Sequence, residues 1–236
     1  MRQLFKKLYK DDAASFYTLL EERLLNEQKT FLITANPEVF MQINKNIVLK
    51  ETALSDSTII TPDGEGVVHA AKKLGYSIWG KIAGVDTVEK LFTMCDQHGR
   101  SLFVLGSKQE VLDALRHKLD QIYPGMKISG MVNGYGFDEA SVFAEIKEKQ
   151  PDVVLVALGV PKQEQIIASH IQDMNKGIFV GCGGSLDVLS GTKKRAPEIF
   201  IKLKLEWAYR LMKEPKRIKR FYDSNVKFLM DINKLK

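Results

Sequence analysis

Cysteine is scarce in this chain. The two present, Cys95 and Cys182, are far apart and have no metal-ligand spacing. That argues against a disulfide scaffold and a zinc module, and makes a reducing compartment the simple expectation. The four histidines (His69, His98, His117, His170) form no HExxH-type cluster. No apolar run reaches the ~18 residues of a membrane span, and the N-terminus carries no apolar leader, so a cytoplasmic protein is expected. Repeats and low-complexity stretches are absent. Acidic residues run short at one end only. Residues 191–236 hold 14 Lys/Arg against 5 Asp/Glu, whereas the rest of the chain holds 21 against 24. A near-neutral body thus carries a basic tail, which calls for an anionic partner such as a membrane surface, phosphates or nucleic acid. What is present is a globular composition, 44% hydrophobic and 27% charged over 236 residues. That suffices for one large domain with an appendage.

The pattern alternates. A helix is predicted over 11–28, where Leu19, Leu20, Leu24 and Leu25 share one face. Short apolar runs at 31–35, 58–61, 102–106, 126–132, 153–158 and 178–181 read as strands. Helical stretches follow them from Glu38, over 67–74, 87–97, 109–122 and 138–149, and after Pro161. The spacing predicts an α/β fold with a mainly parallel sheet and helices on both faces. Ser107 is expected to cap one helix and Asn36 another, and Pro161 fits a first helical position. From Gly191 the character changes. A basic turn, Thr192-Lys193-Lys194-Arg195-Ala196-Pro197, leads into a helix over 197–212. Arg210, Lys213, Arg217 and Arg220 then recur at helical spacing, and Pro215 is expected to break or bend the helix. The expected division is 1–190 for the α/β core and 191–236 for a basic C-terminal helical appendage.

In such a sheet ligands bind at the carboxyl ends of the strands, so the residues there are the candidates. Thr34 and Asn36 end the first strand, although a cap and a turn would explain them as well. Asp63 lies between the second strand and a turn that carries Gly64 and Gly66; a carboxylate there can serve as a general base, or cap a helix. Lys81 can meet a phosphate or lie solvated. Gln163, after the apolar run Val153–Leu158 and Gly159, is a candidate sugar or nucleotide contact, or an ordinary first-turn residue. The tail's aromatic, aliphatic and basic mixture suits a membrane-interface helix, a diphosphate clamp or a solvated basic face. Gly64-x-Gly66 lacks the third glycine and the acidic partner of a dinucleotide fingerprint, which weighs against a nucleotide-dependent oxidoreductase.

These segments, in this order, resemble the bacterial WecG/TagA/CpsF glycosyltransferases (family 26). The resemblance rests on Thr34-Ala35-Asn36-Pro37, Pro62-Asp63-Gly64-x-Gly66-Val67-Val68 and Ala83-Gly84-Val85-Asp86. It continues through Gly159-x-Pro161-x-Gln163-Glu164 and Gly181-x-Gly183-Gly184-x-x-Asp187-x-x-x-Gly191. Arg195-Ala196-Pro197, Leu205-Glu206-Trp207-x-x-Arg210-Leu211 and Glu214-Pro215-x-Arg217-x-x-Arg220 complete it. It implies a Rossmann-like sheet and an inverting transfer, with no cofactor and no metal, of N-acetylmannosamine. The donor would be a UDP-sugar. The acceptor would be a polyprenyl-diphosphate-linked N-acetylglucosamine at the inner face of the plasma membrane, in teichoic acid or capsule-type synthesis. By position it implies Asp63 as general base, with Thr34, Asn36 and Gln163 lining the site. Lys81 stands where the family has an arginine. Arg210, Arg217 and Arg220 would lie in an appendage that engages diphosphate or an anionic membrane. The family's His-Gly-Tyr-Phe loop is Asn133-Gly134-Tyr135-Gly136 here. Transfer of glucose or another hexose from UDP, and a non-enzymatic basic binding module, are the alternatives. Nucleic acid is not expected as a partner because no recognised binding motif occurs. The apolar tail suggests a homo-oligomer off the membrane.

Overall fold

The computed structural model describes residues 1–203, 205–213 and 217–235, and the backbone alone of Arg210, Arg217 and Arg220. In chain order the elements begin with α1 (Arg2–Lys7), α2 (Ala13–Leu25), β1 (Thr30–Ala35), α3 (Pro37–Lys45) and α4 (Ile47–Leu54). Then come β2 (Thr58–Pro62), α5 (Glu65–Lys73), α6 (Gly84–Gln97), β3 (Ser101–Gly106) and α7 (Gln109–Ile122). The second half holds β4 (Lys127–Val132), α8 (Glu139–Lys149), β5 (Val153–Ala157), α9 (Lys162–His170), β6 (Ile178–Gly181) and α10 (Ser185–Leu189). The tail forms α11 (Glu198–Lys202), α12 (Glu206–Lys213), α13 (Arg217–Phe221), a π-helical turn Tyr222–Val226, and α14 (Lys227–Lys234).

The six strands make one sheet in the order β2-β1-β6-β5-β3-β4, every pairing parallel. The fold is α/β and Rossmann-like. The sequence dictates the layering through the two-residue period of a strand. Ile33, Ile60, Phe103, Val154, Val156 and Phe179 face a core shared with α3, α4, α5, α8 and α9. Leu32, Ile59, Val104, Leu155 and Val180 face the other, shared with α2, α6, α7 and α10. Strands covered on both sides have no use for polar alternation, hence the unbroken run Val153–Ala157, buried throughout. Each such Val, Leu or Ile contributes roughly 1.5–3 kcal/mol.

Several local expectations shift. α1 and α4 are short helices that the periodicity does not announce. α6 begins at Gly84 rather than Thr87. Ser107 does not cap α7: it sits at φ +63°, and Lys108 takes the cap position without a side-chain bond. Pro161 precedes the first helical residue of α9 rather than being it. The helix expected over 197–212 is two helices, because α11 ends at Lys202 and α12 starts at Glu206. The Pro215 break lies outside the described residues. α14 packs into the first core through Phe228 and Ile232, both fully buried, and Phe228 meets Phe40 edge-on at 5.8 Å.

Candidate active site

The chain runs outward from β1 to β2 on one side and from β3 to β4 on the other, and β6 and β5 fill the middle. The crevice therefore opens at the carboxyl ends of the central strands.

One wall comes from the ends of β1 and β2. Asn36 caps α3, its Oδ1 accepting from Val39 N at 3.0 Å, and Pro37 takes the first helical position. Asp63 follows β2 directly; its backbone N–H donates to Ala35 O at 3.0 Å, which fixes it beside β1. Gly64 then turns the chain at φ +121°, a region open to glycine. Ile82 N donates to Pro62 O at 2.9 Å, so the loop bearing Lys81 returns to the same place. It feeds α6, whose first residue, Gly84, packs against two of the candidate side chains. A Cβ placed on Gly84 would lie 3.1 Å from Asp63 Oδ2 and 3.1 Å from Thr34 Oγ1. Thr34, Asp63 and the amino end of a fourteen-residue helix thus converge. Beside Thr34 in register, Thr61 is fully buried, and its hydroxyl has no hydrogen-bond partner among the described residues. A helix amino end offers N–H groups and a partial positive charge to an anion.

The other wall is built on β5 and β6. Gln163 is 3% exposed. Its Oε1 accepts from Gly159 N and from Gly183 N, both at 3.0 Å, and its Nε2 donates to Glu164 Oε1 at 2.7 Å. Beyond it, Gly106 and Ser107 end β3 with positive φ, and Gly134 N of the following glycine-rich loop donates to Ser107 O at 2.8 Å. Tyr135 on that loop is exposed.

The tail closes on the first wall through two ion pairs. Lys81 Nζ meets Glu206 Oε2 of α12 at 3.1 Å, and Glu206 is buried. Arg195 donates to Asp86 Oδ1, in the first turn of α6, at 2.6 Å. Burial works to lower the Arg195 pKa, but the bond and charge of Asp86 outweigh it, with a net rise. Arg195 is therefore cationic at any working pH. Burial pushes the Cys182 thiol far up, so the thiol beside the Gln163 wall is not a nucleophile. Among the described residues no three His, Cys, Asp or Glu side chains gather as a metal-ligand set.

Of the residues singled out from sequence, the structure brings Thr34, Asn36, Asp63 and Lys81 to one wall. Gln163 stands on the other, with β6 between. Arg210 lies on α12, and Arg217 and Arg220 on α13; their side chains lie outside the described residues. Sequence reading gave Glu206, Asp86 and Glu164 no site role, although all three stand in the segments quoted for the resemblance. Glu206 lies 125 residues from Lys81, and no local pattern joins them. Glu164 carried no signal, standing among Lys162, Gln163 and Gln165 in an ordinary polar helix start.

Comparison with known proteins adds to this geometry. Residues 5–236 match the family described as Glycosyl transferase WecG/TagA/CpsF. A protein of Bacillus spizizenii is 38% identical over 210 residues, covering 89% of this chain and 81% of its own. One from Bacillus subtilis (strain 168) is 37% identical over 207 residues, with 87% and 80% covered. One from Staphylococcus aureus (strain MW2) is 34% identical over 190 residues, with 80% and 74% covered. All three are named N-acetylglucosaminyldiphosphoundecaprenol N-acetyl-beta-D-mannosaminyltransferase.

Proposed function

This chain belongs to the WecG/TagA/CpsF family and is a glycosyltransferase, and from that premise we propose its reaction. It transfers N-acetylmannosamine from a UDP donor, with inversion and without a metal, to N-acetylglucosamine linked to a polyprenyl diphosphate. The relatives' names support the sugar and the acceptor. The observation that carries the site is the gathering of Asp63 and Thr34 against Gly84 at the amino end of α6.

Asp63 takes the proton from the acceptor hydroxyl as that oxygen attacks the anomeric carbon from the face opposite UDP. The new C–O bond forms, the bond to the β-phosphate oxygen breaks, and UDP leaves with the electron pair. Thr34 and Asn36 line the sugar. The charge growing on UDP is met by the N–H groups of α6, by Lys81 and by the arginines of α12 and α13. Lys81 brings charge without the bidentate geometry of arginine.

Residues 191–236 act as an appendage that docks on the anionic inner leaflet of the plasma membrane, where the acceptor resides. Ile199, Leu203, Trp207, Ile218 and Tyr222 are exposed on this basic segment, which supports an interfacial role. No helix among the described residues is long and apolar enough to cross a membrane.

The test is UDP release with a lipid-diphosphate N-acetylglucosamine, a panel of UDP-sugars and EDTA. Release with UDP-N-acetylmannosamine alone is expected. Release with UDP-glucose instead would overturn the donor, and loss of activity in EDTA would overturn metal independence. Asp63→Asn is expected to lower turnover about 10²- to 10⁴-fold with the fold intact; near wild-type turnover would remove Asp63 as the base. For the membrane, Trp207→Glu with Ile218→Glu is expected to weaken binding to anionic vesicles. Unchanged binding would remove that role. Truncation is a poorer probe, because it would also strip Phe228 and Ile232 from the core.

A further inference from the structure

Gln163 is committed to the protein before any substrate arrives. Its Oε1 has two lone pairs, and both are used, by the N–H groups of Gly159 and Gly183. One N–H of its amide goes to Glu164, leaving a single hydrogen for anything else. Those two glycines belong to different turns. Gly159 (φ +79°) lies in the turn after β5, and Gly183 (φ +46°) in the turn after β6. One amide therefore ties together the two central turns of the cleft, each of which needs positive φ. The packing leaves no slack: a Cβ on Gly181 would come within 2.9 Å of Gln163 Nε2 and 3.1 Å of Glu164 Oε1. Glu164 is 4% exposed. It decides which way the amide points, because its carboxylate oxygen accepts and so must face the nitrogen.

We propose that Gln163 and Glu164 are a positioning pair, which sets the spacing of the β5 and β6 turns and so the shape of the cleft that orients the donor. This rests on the glycosyltransferase reading above. A misplacement well under 1 Å at such a cleft costs turnover more than binding.

Exchanging the two residues tests this. Gln163→Glu alone sets a second carboxylate against Glu164 in a buried site. We expect kcat to fall about 10- to 100-fold with the donor KM within about threefold. The double variant Gln163→Glu/Glu164→Gln keeps all three bonds and reverses the direction of the one between 163 and 164. A carboxylate oxygen accepts from Gly159 N and Gly183 N, and the amide at 164 donates to the carboxylate at 163. Recovery of kcat to within about threefold of wild type is expected for a positioning role. A Gln163 that serves by donating its amide N–H to substrate would not be rescued, since a carboxylate donates none. A double variant that fails to fold, or turns over no better than Gln163→Glu, overturns the proposal. If the wild-type protein releases UDP from none of the UDP-sugars, the glycosyltransferase reading fails instead, so the two failures are told apart.

Discussion

Adding one methyl group at Gly84 separates catalysis from stability. The Cβ of Gly84→Ala would stand 3.1 Å from Asp63 Oδ2, 3.1 Å from Thr34 Oγ1 and 3.3 Å from Thr34 Cβ. Ordinary contact needs a few tenths of an ångström more, so the two side chains must retreat together. Since a 1 Å misplacement can cost about 10²-fold, a shift of a third to a half of that predicts a loss of about tenfold in kcat. Stability should barely move. Alanine is favoured over glycine in a helix by about 0.5–1 kcal/mol, and mild overpacking costs about 1 kcal/mol or somewhat more. The net shift in Tm is then within about 4 °C for a chain of this size. Gly80→Ala is the matched control: nothing lies within 4 Å of its Cβ. The assay is UDP release at saturating donor and acceptor, alongside a thermal melt. Wild-type kcat for Gly84→Ala would refute the placement of Asp63 and Thr34 at the reacting centre. Equal losses in both variants would refute the steric argument.

Gly106→Ala is expected to act on the fold instead, because its Cβ would meet Ala157 O at 2.4 Å in a backbone at φ +122°. Clash and strain together cost about 2–5 kcal/mol, readable as a lowered urea midpoint. The far end of the sheet has its own pH signature. Burial works to raise the Asp152 pKa, but hydrogen bonds from Ser101 and Lys176 outweigh it and hold it below its ordinary 3.8. The stability this group contributes is present above that ordinary value and is lost as pH falls through the lower folded one. Urea midpoints measured from about pH 6 down to about pH 2 should show this acid limb flattened in Asp152→Asn; an unchanged limb would count against the network.

The strands were legible because a doubly covered parallel sheet must be built from short unbroken apolar runs, and Val153–Ala157 is one. Asn36 was legible as a cap because Asn-Pro before a helical pattern has a local reason to be there. Ser107 was not: Gly106 and Ser107 both take positive φ to meet the Gly134 loop, and a tertiary contact outranked the cap. Asp63 stood out from the glycines that follow it, but Gly84 gave no sign of its role, since the close approach is visible only once β1 and β2 are paired. Gln163 could be placed at a strand end. That its oxygen holds two turns from different strands depends on β5 and β6 being neighbours, and strand order is not a local property. The same holds for Lys81, whose carboxylate partner arrives 125 residues later.

The strand order has a consequence for how the molecule comes into being. β1 with β2, and β3 with β4, are sequence-adjacent parallel pairs joined by helical crossovers that can form early, yet neither can join the other until β5 and β6 are inserted between them. On a ribosome, β2 is finished at Pro62 and β6 begins only at Ile178, an interval on the order of ten seconds at ordinary synthesis rates. Through that wait one flank of Thr30–Ala35 stands as a bare apolar edge, a surface for chaperones or for misassembly. Asp63 is in place early, whereas Gln163 and Gly183 come with the last strands. Catalytic competence therefore marks the closing step of assembly, and regained turnover during refolding reports that step.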